Sequence, residues 1–180
     1  MSSRNWQNPI THDFKTDTEY LEGQIVMADN LKQIEEYLRA IRIPLRLSCT
    51  TQSGWPMIVS LWFRYQNNKL FCATQNSAKI VGYLQNDPRC AFEISADLPP
   101  YCGVRGQALA RIDDKMGSQV LEQLLVRYLG GMDNQLAKNL LEKRKTEVAV
   151  ILDPKKIFTW DLSNRMTNIS FEQPSGKICP

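Results

Sequence analysis

The sequence predicts a mainly β fold: an antiparallel barrel of six or seven strands with a few short helices packed outside it. Three observations predict this class. Short runs rich in β-branched and aromatic residues alternate with turn signals. Consecutive strands are mostly joined by short turns of hairpin type. Glycines interrupt one long strand, as happens where a sheet curls. Closure of the sheet into a barrel also removes exposed strand edges.

The N-terminal half predicts one helix and three strands. The helix begins near Asp29 or Asn30, places its apolar residues at spacings of three and four, and ends at Pro44. Ser53-Gly54 and Asn67-Asn68 supply the turns between the strands, because Gly and Asn tolerate positive φ. The strands are predicted at Leu45 to Thr51, Met57 to Tyr65 and Lys69 to Thr74.

A short helix and two strands come next. Ser77 opens the helix and Asp87-Pro88 ends it. Gly103 and Gly106 are interpreted as a bend or bulge in the second strand. The two strands are predicted at Cys90 to Ser95 and Tyr101 to Ile112.

The remaining elements are two helices followed by two strands. Asp113 or Asp114 caps the first helix, and Gly130-Gly131 ends it. The second helix is predicted from Asp133 to Lys145. The strands are predicted at Glu147 to Leu152 and Lys156 to Leu162.

The 180 residues are predicted to form one domain at 26–165, with a polar N-terminal extension at 1–25 and a C-terminal tail at 166–180. The net charge of +3 is weak, and the basic cluster Lys143-Arg144-Lys145 suits the C-terminal end of a helix. This composition predicts no nucleic-acid partner. No apolar run approaches the ~18 residues that cross a bilayer, so no membrane association is expected.

The five cysteines form no CxxC pair, and four of them lie in apolar strand-like contexts, where cysteine acts as a small hydrophobe. The N-terminus lacks the apolar core of a signal peptide. Together these features predict a cytoplasmic protein rather than a disulfide scaffold. The single histidine, His12, lies in the polar extension, which excludes a histidine metal site or a Ser-His-Asp triad in the predicted core.

One segment predicts a binding site for a phosphate or another anion: the strand, turn and helix from Phe71 to Arg89. Unpaired backbone N–H groups and the helix dipole place positive charge at the start of a helix. Lys79 adds a full positive charge in the first turn. Ser77 and Lys79 equally fit an ordinary helix start, because caps are commonly Ser and such lysines are commonly solvated.

Motifs spread over residues 28–163 resemble those of the pyridoxamine 5'-phosphate oxidase-like split-barrel flavoproteins. In chain order they are Gly54-Trp55-Pro56, Val59 to Phe63, Thr74, Ser77, Lys79, Asn86 to Arg89 and Gly103 to Ala108. The resemblance implies a split barrel of FMN-binding type. It also implies a homodimer with two flavin sites at the subunit interface.

The resemblance also implies a set of FMN contacts. The strand ending at Arg64 lines the isoalloxazine ring, largely through backbone groups, and the turn after Thr74 holds the phosphate. The usual Ser-Arg-Lys is here Ser77-Ala78-Lys79, so one positive charge is missing, and Arg64, or less readily Arg46, is the candidate to replace it. The expected cofactor-binding residues are Val59, Ser60, Leu61, Trp62, Arg64, Thr74, Ser77 and Lys79. Tyr101 is added to them from its place after Leu98-Pro99-Pro100, where it is expected to face the cofactor or a substrate.

The C-terminal substrate motif of the true oxidase, rich in Arg and His, is absent, since Trp160 to Arg165 contains no histidine. We therefore expect an FMN-binding oxidoreductase with a small-molecule substrate and a nicotinamide donor, and no catalytic side chain is identified. The alternatives are a flavin- or haem-binding protein without turnover and a deazaflavin-dependent reductase. The long acidic tail of a deazaflavin favours a basic groove, and no extra basic cluster is expected near the turn.

Overall fold

The computed structural model describes residues 31–166. Within them the chain forms one sheet of seven strands, all paired antiparallel, in the order β2-β1-β5-β6-β7-β4-β3. The extension at 1–25 and the tail after Met166 lie outside the described residues. The strands are β1 Leu45–Thr50, β2 Pro56–Leu61, β3 Arg64–Gln66, β4 Lys69–Gln75, β5 Arg89–Ser95, β6 Cys102–Asp113 and β7 Glu147–Asp161.

The strand order requires the sheet to curl into a barrel. β2 and β3 lie at opposite edges of the sheet, yet only Trp62 and Phe63 separate them along the chain. The two edges must therefore meet, and β2 lies beside β4 with no hydrogen-bonded ladder between them. That gap is the split of a split barrel, so the predicted fold class is confirmed.

The described part of the chain has four α-helices around the sheet: α1 Leu31–Ala40, α2 Lys79–Asn86, α3 Gly117–Leu129 and α4 Gln135–Glu142. α1 and α2 bury their apolar faces in the barrel core, with Tyr37 and Leu84 almost fully enclosed. α3 instead packs on the outer face of β4 and β7, where Val120 meets Ala149 and Ile151. The barrel wall therefore lies between two apolar layers.

Alternation along the strands determines what each side chain faces, because successive side chains point to opposite sides of a sheet. On β4, Cys72 is buried in the barrel core, whereas Phe71 and Ala73 pack with the α3 layer. On β2, Val59 packs against the barrel core, whereas Ile58 faces outward and is exposed. These two strands carry most of the predicted site.

Arg127 of α3 fixes the C-terminal end of α1. Its guanidinium donates to the carbonyl oxygens of Leu38 at 2.9 Å, Arg39 at 2.7 Å and Ile41 at 2.5 Å. The last carbonyls of a helix have no intrahelical donor and carry partial negative charge, so a cation satisfies both needs. Burial lowers the pKa of Arg127 from its ordinary value.

The next residue, Tyr128, fixes the junction that closes the barrel. Its hydroxyl accepts from the N–H of Phe63 at 3.2 Å and donates to the carbonyl of Ile43 at 2.9 Å. Its ring stacks on Trp62 with centroids 5.0 Å apart and planes 9° from parallel. The guanidinium of Arg127 lies 5.4 Å from the Phe63 ring centroid. The last turn of α3 thus binds both α1 and the β2–β3 junction.

Several turns form as the sequence predicts. Asn67 and Asn68 have φ of 50° and 59°, the left-handed values that suit a tight hairpin. Gly130 ends α3 with φ of 73°, at the position where helices favour glycine. These residues could be interpreted locally because each type tolerates positive φ on its own account.

Two strand predictions are wrong. Met57 to Tyr65 is not one strand, because the chain crosses from one sheet edge to the other at Trp62 and Phe63. The two C-terminal strands are one strand, β7, with a register shift opposite Gln107 and Ala108 that leaves Lys155 unpaired. Pro154 is tolerated beside this bulge, where a ladder donor is not required.

The two glycines of β6 do not mark a bend of their own. A Cβ at Gly103 would lie 2.6 Å from the carbonyl oxygen of Ile94, and one at Gly106 would lie 2.7 Å from the Phe92 ring. Both positions allow close packing of neighbouring groups against β6. The irregularity lies in β7, next to Gly106 but on the other strand.

Three further boundaries differ from the sequence prediction. α3 begins at Gly117, and Asp113 accepts from the N–H groups of Lys115 and Met116 in the turn before it. α4 begins at Gln135 after the N-cap Asn134 and ends at Glu142. The basic cluster therefore lies mostly in a separate 3-10 helix, Arg144–Thr146.

Three cysteines behave as small buried hydrophobes: Cys49, Cys72 and Cys90 carry free thiols. Cys102 is also buried but is disulfide-bonded, which its interpretation as a small hydrophobe did not predict. Among residues 31–166 no helix is long and apolar enough to cross a membrane.

Gly117→Ala should lower the free energy of unfolding by at least about 1–3 kcal/mol, because the added methyl group overpacks the site and forces the backbone to move. The added Cβ would lie 1.9 Å from the carbonyl oxygen of Glu147. Gly82→Ala in α2 is the matched control, since no atom lies within 4 Å of its added Cβ. It should stabilise the protein by roughly 0.5–1 kcal/mol. Urea unfolding measures both, and equal stabilities would contradict this packing.

Candidate functional site

The turn between β4 and α2 is the first part of the candidate site. β4 ends at Gln75, residues 76–78 form the turn (the β4–α2 turn), and α2 begins at Lys79. The N–H of Asn76 donates to the carbonyl of Thr146 at 2.8 Å, and the N–H of Ala78 donates to the carbonyl of Gln75 at 2.9 Å. These bonds fix the turn against the chain that enters β7.

Ser77 does not cap α2, which corrects the sequence prediction. The N-cap position belongs to Ala78, and no side chain bonds to the first turn there. Ser77 lies one residue earlier, exposed in the turn. The first N–H groups of a helix lack intrahelical partners, so those of Lys79 and Ile80 remain available to an external acceptor. The missing cap leaves the helix start more open to an anion.

The side chains around the turn are donors. Lys79 is exposed and forms no ion pair among the described residues. Thr74 is half-buried and shares the barrel-facing side of β4 with Cys72. Two hydroxyls, one ammonium group and uncapped backbone N–H groups form a donor set that suits a phosphate.

β2 is the second part of the candidate site. Its ladder partner is β1, and as an edge strand it has no ladder on its other side among the described residues. Val59 and Leu61 are half-buried against the barrel core, whereas Ser60 is exposed on the outer face, opposite Arg46. Backbone groups along the free edge of β2 are therefore accessible to a ligand.

Trp62 and Arg64 lie on the α3 side of the barrel wall. Trp62 stacks on Tyr128 as described above. The guanidinium of Arg64 donates to the side-chain oxygens of Gln123 and Gln66 and lies 5.7 Å from the Phe71 ring. Burial lowers the pKa of Arg64. Because Phe71 and Thr74 face opposite sides of β4, the structure does not place Arg64 together with Thr74.

Tyr101 is far from the turn within one chain. It is 40% exposed and directly precedes β6. Thr74 pairs with Val148 of β7. The next residue of β7, Ala149, pairs with Asp113, which is the last residue of β6. Tyr101 and the β4–α2 turn therefore lie near opposite ends of β6, which is about 35 Å long at ~3.3 Å per residue.

Arg46 lies in a charged row that the sequence did not reveal. Its guanidinium donates to the carboxylate of Asp97 at 2.5 Å and to the hydroxyl of Ser95 at 3.3 Å. Ser95 in turn donates to Glu93 at 2.7 Å, and Glu93 pairs in register with Arg105. Only strand pairing brings these residues together, so no local motif signals the row.

Arg105 and Trp160 form a contact on the outer face of the sheet. The guanidinium of Arg105 lies 5.6 Å from the Trp160 ring centroid, within the range of a cation–π contact. Trp160 is half-buried against Gly103, where a Cβ would lie 2.8 Å from the indole. The indole and the guanidinium together present a flat, positively charged patch.

A polar cleft of ≈380 Å³ lies beside the β4–α2 turn. None of the residues expected to bind cofactor lines it. Lys145 and Asn76 both line it, so the basic cluster Lys143-Arg144-Lys145 reaches the neighbourhood of the β4–α2 turn. The expectation that no extra basic cluster lies near this turn is therefore wrong. The lining residues are Asn76, Val81, Gln85, Asp114, Lys145, Thr146, Glu147 and Val148.

Glu147 is the buried acid of this cleft, with 6% of its surface exposed. Its carboxylate accepts from the side-chain amide of Gln75, its register partner. Burial raises the pKa of Glu147, and the bond from Gln75 opposes that shift in part. Within residues 31–166 no group of three or more His, Cys, Asp or Glu side chains could hold a metal ion.

Comparison with known proteins finds no matching family model and no matching curated protein. Solved structures do match. A conserved hypothetical protein from Mycobacterium tuberculosis aligns with a TM-score of 0.64 and 20% identity over 84% of this chain and 94% of that one. An F420 reductase aligns with a TM-score of 0.58 and 17% identity over 68% and 94% of the two chains.

A putative pyridoxamine 5'-phosphate oxidase from Listeria innocua aligns with a TM-score of 0.53 and 16% identity, covering 75% of this chain and 97% of that one. Identities this low establish a shared fold. The chain therefore has the split-barrel fold of pyridoxamine 5'-phosphate oxidase-like proteins.

Proposed function

We propose that this protein is a flavin-dependent oxidoreductase that binds FMN, with the phosphate at the β4–α2 turn. The observation that carries the proposal is the uncapped start of α2, which follows Thr74 and Ser77 and carries Lys79 in its first turn. Backbone N–H groups, hydroxyls and an ammonium group form charge-assisted bonds to a phosphate. When bound, the flavin supplies the redox chemistry.

The comparisons support a redox function at the level of fold. One matching structure is named an F420 reductase and another a putative pyridoxamine 5'-phosphate oxidase. The substrate motif of the true oxidase is absent from Trp160 to Arg165, and pyridoxamine phosphate is therefore expected to be a poor substrate.

The proposed site draws on two copies of the chain. Tyr101 and the β4–α2 turn lie at opposite ends of β6, so a flavin that contacts both must lie between protomers. Trp55 directly precedes the free-edged strand β2 and is 75% exposed, and Ile58 lies on β2 and is 68% exposed. Exposed apolar side chains of this size favour an interface. A homodimer satisfies both observations.

Within that site the chain binds, orients and shields the cofactor. The turn holds the phosphate, the free edge of β2 aligns backbone groups with the ring, and the barrel wall excludes water from one side. Arg105 on Trp160 presents a flat cationic patch that suits a small, flat acceptor with electron-rich or anionic groups. The proposed donor is a reduced nicotinamide.

A deazaflavin-dependent reductase is the second candidate, and one observation favours it. Lys145 and the 3-10 helix Arg144–Thr146 bring positive charge to the cleft beside the turn. A cofactor whose phosphate carries a long acidic tail gains from such a cluster. Parallel titrations with FMN and with the deazaflavin distinguish the two candidates by affinity.

Lys79→Ala should weaken FMN binding about ten- to a hundredfold, since a charge-assisted hydrogen bond contributes roughly 1.5–3 kcal/mol. Lys69→Ala is the matched control, because Lys69 is also exposed but begins β4, about 20 Å along the strand from the turn. Quenching of flavin fluorescence gives both dissociation constants. Equal weakening in the two variants would remove Lys79 from the site.

Ile58→Lys should dissociate the proposed dimer, because it places an unpaired charge in an apolar contact. Sedimentation velocity at low micromolar concentration should show dimer for the native chain and monomer for this variant. Leu136→Lys on α4 is the control, since Leu136 is 50% exposed on another surface. A native monomer that binds FMN tightly would contradict the shared site.

Anaerobic addition of NADH or NADPH should bleach the absorption band of bound FMN as the flavin is reduced. Dithionite provides the positive control for complete reduction. Bleaching by dithionite alone would instead identify a flavin carrier, or an enzyme that depends on a separate reductase. Turnover with pyridoxamine phosphate at a rate comparable with other acceptors would contradict the proposed specificity.

A further inference from the structure

Glu147 is a buried acid that the proposed chemistry does not use. Only 6% of its surface is exposed, and it forms no ion pair with any described residue. Its carboxylate accepts a hydrogen bond from the neutral amide of Gln75. Burying a carboxylate without a cation disfavours its ionised form, so the charge state of Glu147 is sensitive to its surroundings.

A chain of hydrogen bonds connects Glu147 to the β4–α2 turn. Gln75 donates to Glu147 and accepts from the hydroxyl of Thr146 at 2.5 Å. The carbonyl of Thr146 accepts from the N–H of Asn76 at 2.8 Å. Gln75 is the last residue of β4, next to the turn that carries Ser77. The carboxylate of Glu147 and the proposed phosphate site are therefore connected through the adjacent residues Gln75 and Asn76.

The cleft beside this buried acid carries two further charges. Asp114, from the turn after β6, and Lys145, from the 3-10 helix before β7, line the cleft with Glu147. Lys79 of α2 lies at the far side of the β4–α2 turn. Asp114 and Lys145 are both exposed and opposite in sign, so solvent screens them and their effects oppose each other. Glu147 is the buried charge of the group.

We propose that the ionisation of Glu147 controls how tightly the β4–α2 turn holds a phosphate. This inference rests on the proposed function, since it concerns the same phosphate site. With Glu147 neutral, the Thr146–Gln75–Glu147 bonds hold the turn in place without opposing an anion. With Glu147 ionised, a negative charge that is little screened by solvent repels the phosphate across Gln75 and Asn76.

The direction of the pH dependence follows from burial. Burial raises the pKa of Glu147, so its proton is lost at a higher pH than in an ordinary glutamate. Affinity for FMN should therefore fall as the pH rises through that raised pKa. By reciprocal linkage, bound FMN should raise the pKa of Glu147 further, because the anion stabilises the neutral acid.

The test compares FMN dissociation constants of the native protein and of Glu147→Gln from pH 5 to 8.5. Glutamine has nearly the same shape and stays neutral, and the phosphate's own titration cancels in the ratio of native to variant constants. This ratio should be near one at the acidic end and should rise at least threefold at the alkaline end. Riboflavin, which lacks the phosphate, should show no such rise. Glu36→Gln, an exposed acid on α1, is the charge-matched control.

A second measurement needs no variant. The pKa of Glu147, followed by the NMR shift of its labelled carboxyl carbon, should rise when FMN is added and stay unchanged with riboflavin. A flat native-to-variant ratio, or a pKa that FMN does not move, overturns the inference while leaving FMN binding intact. Absence of FMN binding at every pH overturns the proposed function and this inference together.

Discussion

The structure depends on one constraint: two residues, Trp62 and Phe63, join strands that lie at opposite edges of the sheet. So short a connection is possible only if the sheet curls until its edges meet. The last turn of α3 holds the junction, with Tyr128 bonded to the Phe63 backbone and stacked on Trp62. The same turn binds the carbonyls that end α1, so barrel closure and helix packing are fixed by one contact region.

This closure determines what the candidate site can contain. It brings the free edge of β2 beside β4. The start of α2, close to the end of β4, is uncapped because Ala78 occupies its N-cap position. Barrel closure also faces Arg64 toward α3, away from Thr74. Within one chain Arg64 therefore lies apart from the β4–α2 turn, and the lysines near that turn are Lys79 at the start of α2 and Lys145 in the adjoining cleft.

Local chemistry made much of the fold predictable, and non-local pairing accounts for what was missed. Asn67-Asn68 and Gly130 could be interpreted because their own conformational freedom sets the turn. The break after Leu61 could not, since Trp62 and Phe63 are good strand formers whose conformation barrel closure imposes. Glu147 carries no local signal either, because only its register with Gln75 places it beside the turn.

The contact between α1 and α3 has a consequence for the order of folding. Arg127 and Tyr128 lie 85 to 89 residues along the chain from the carbonyls they bind, so their contact closes a very long loop. Loop closure of this kind is entropically costly and slow compared with hairpin formation. The β3–β4 hairpin can form early from neighbouring residues. The Trp62–Phe63 junction can be secured only after α3 exists, which makes barrel closure a late event in folding.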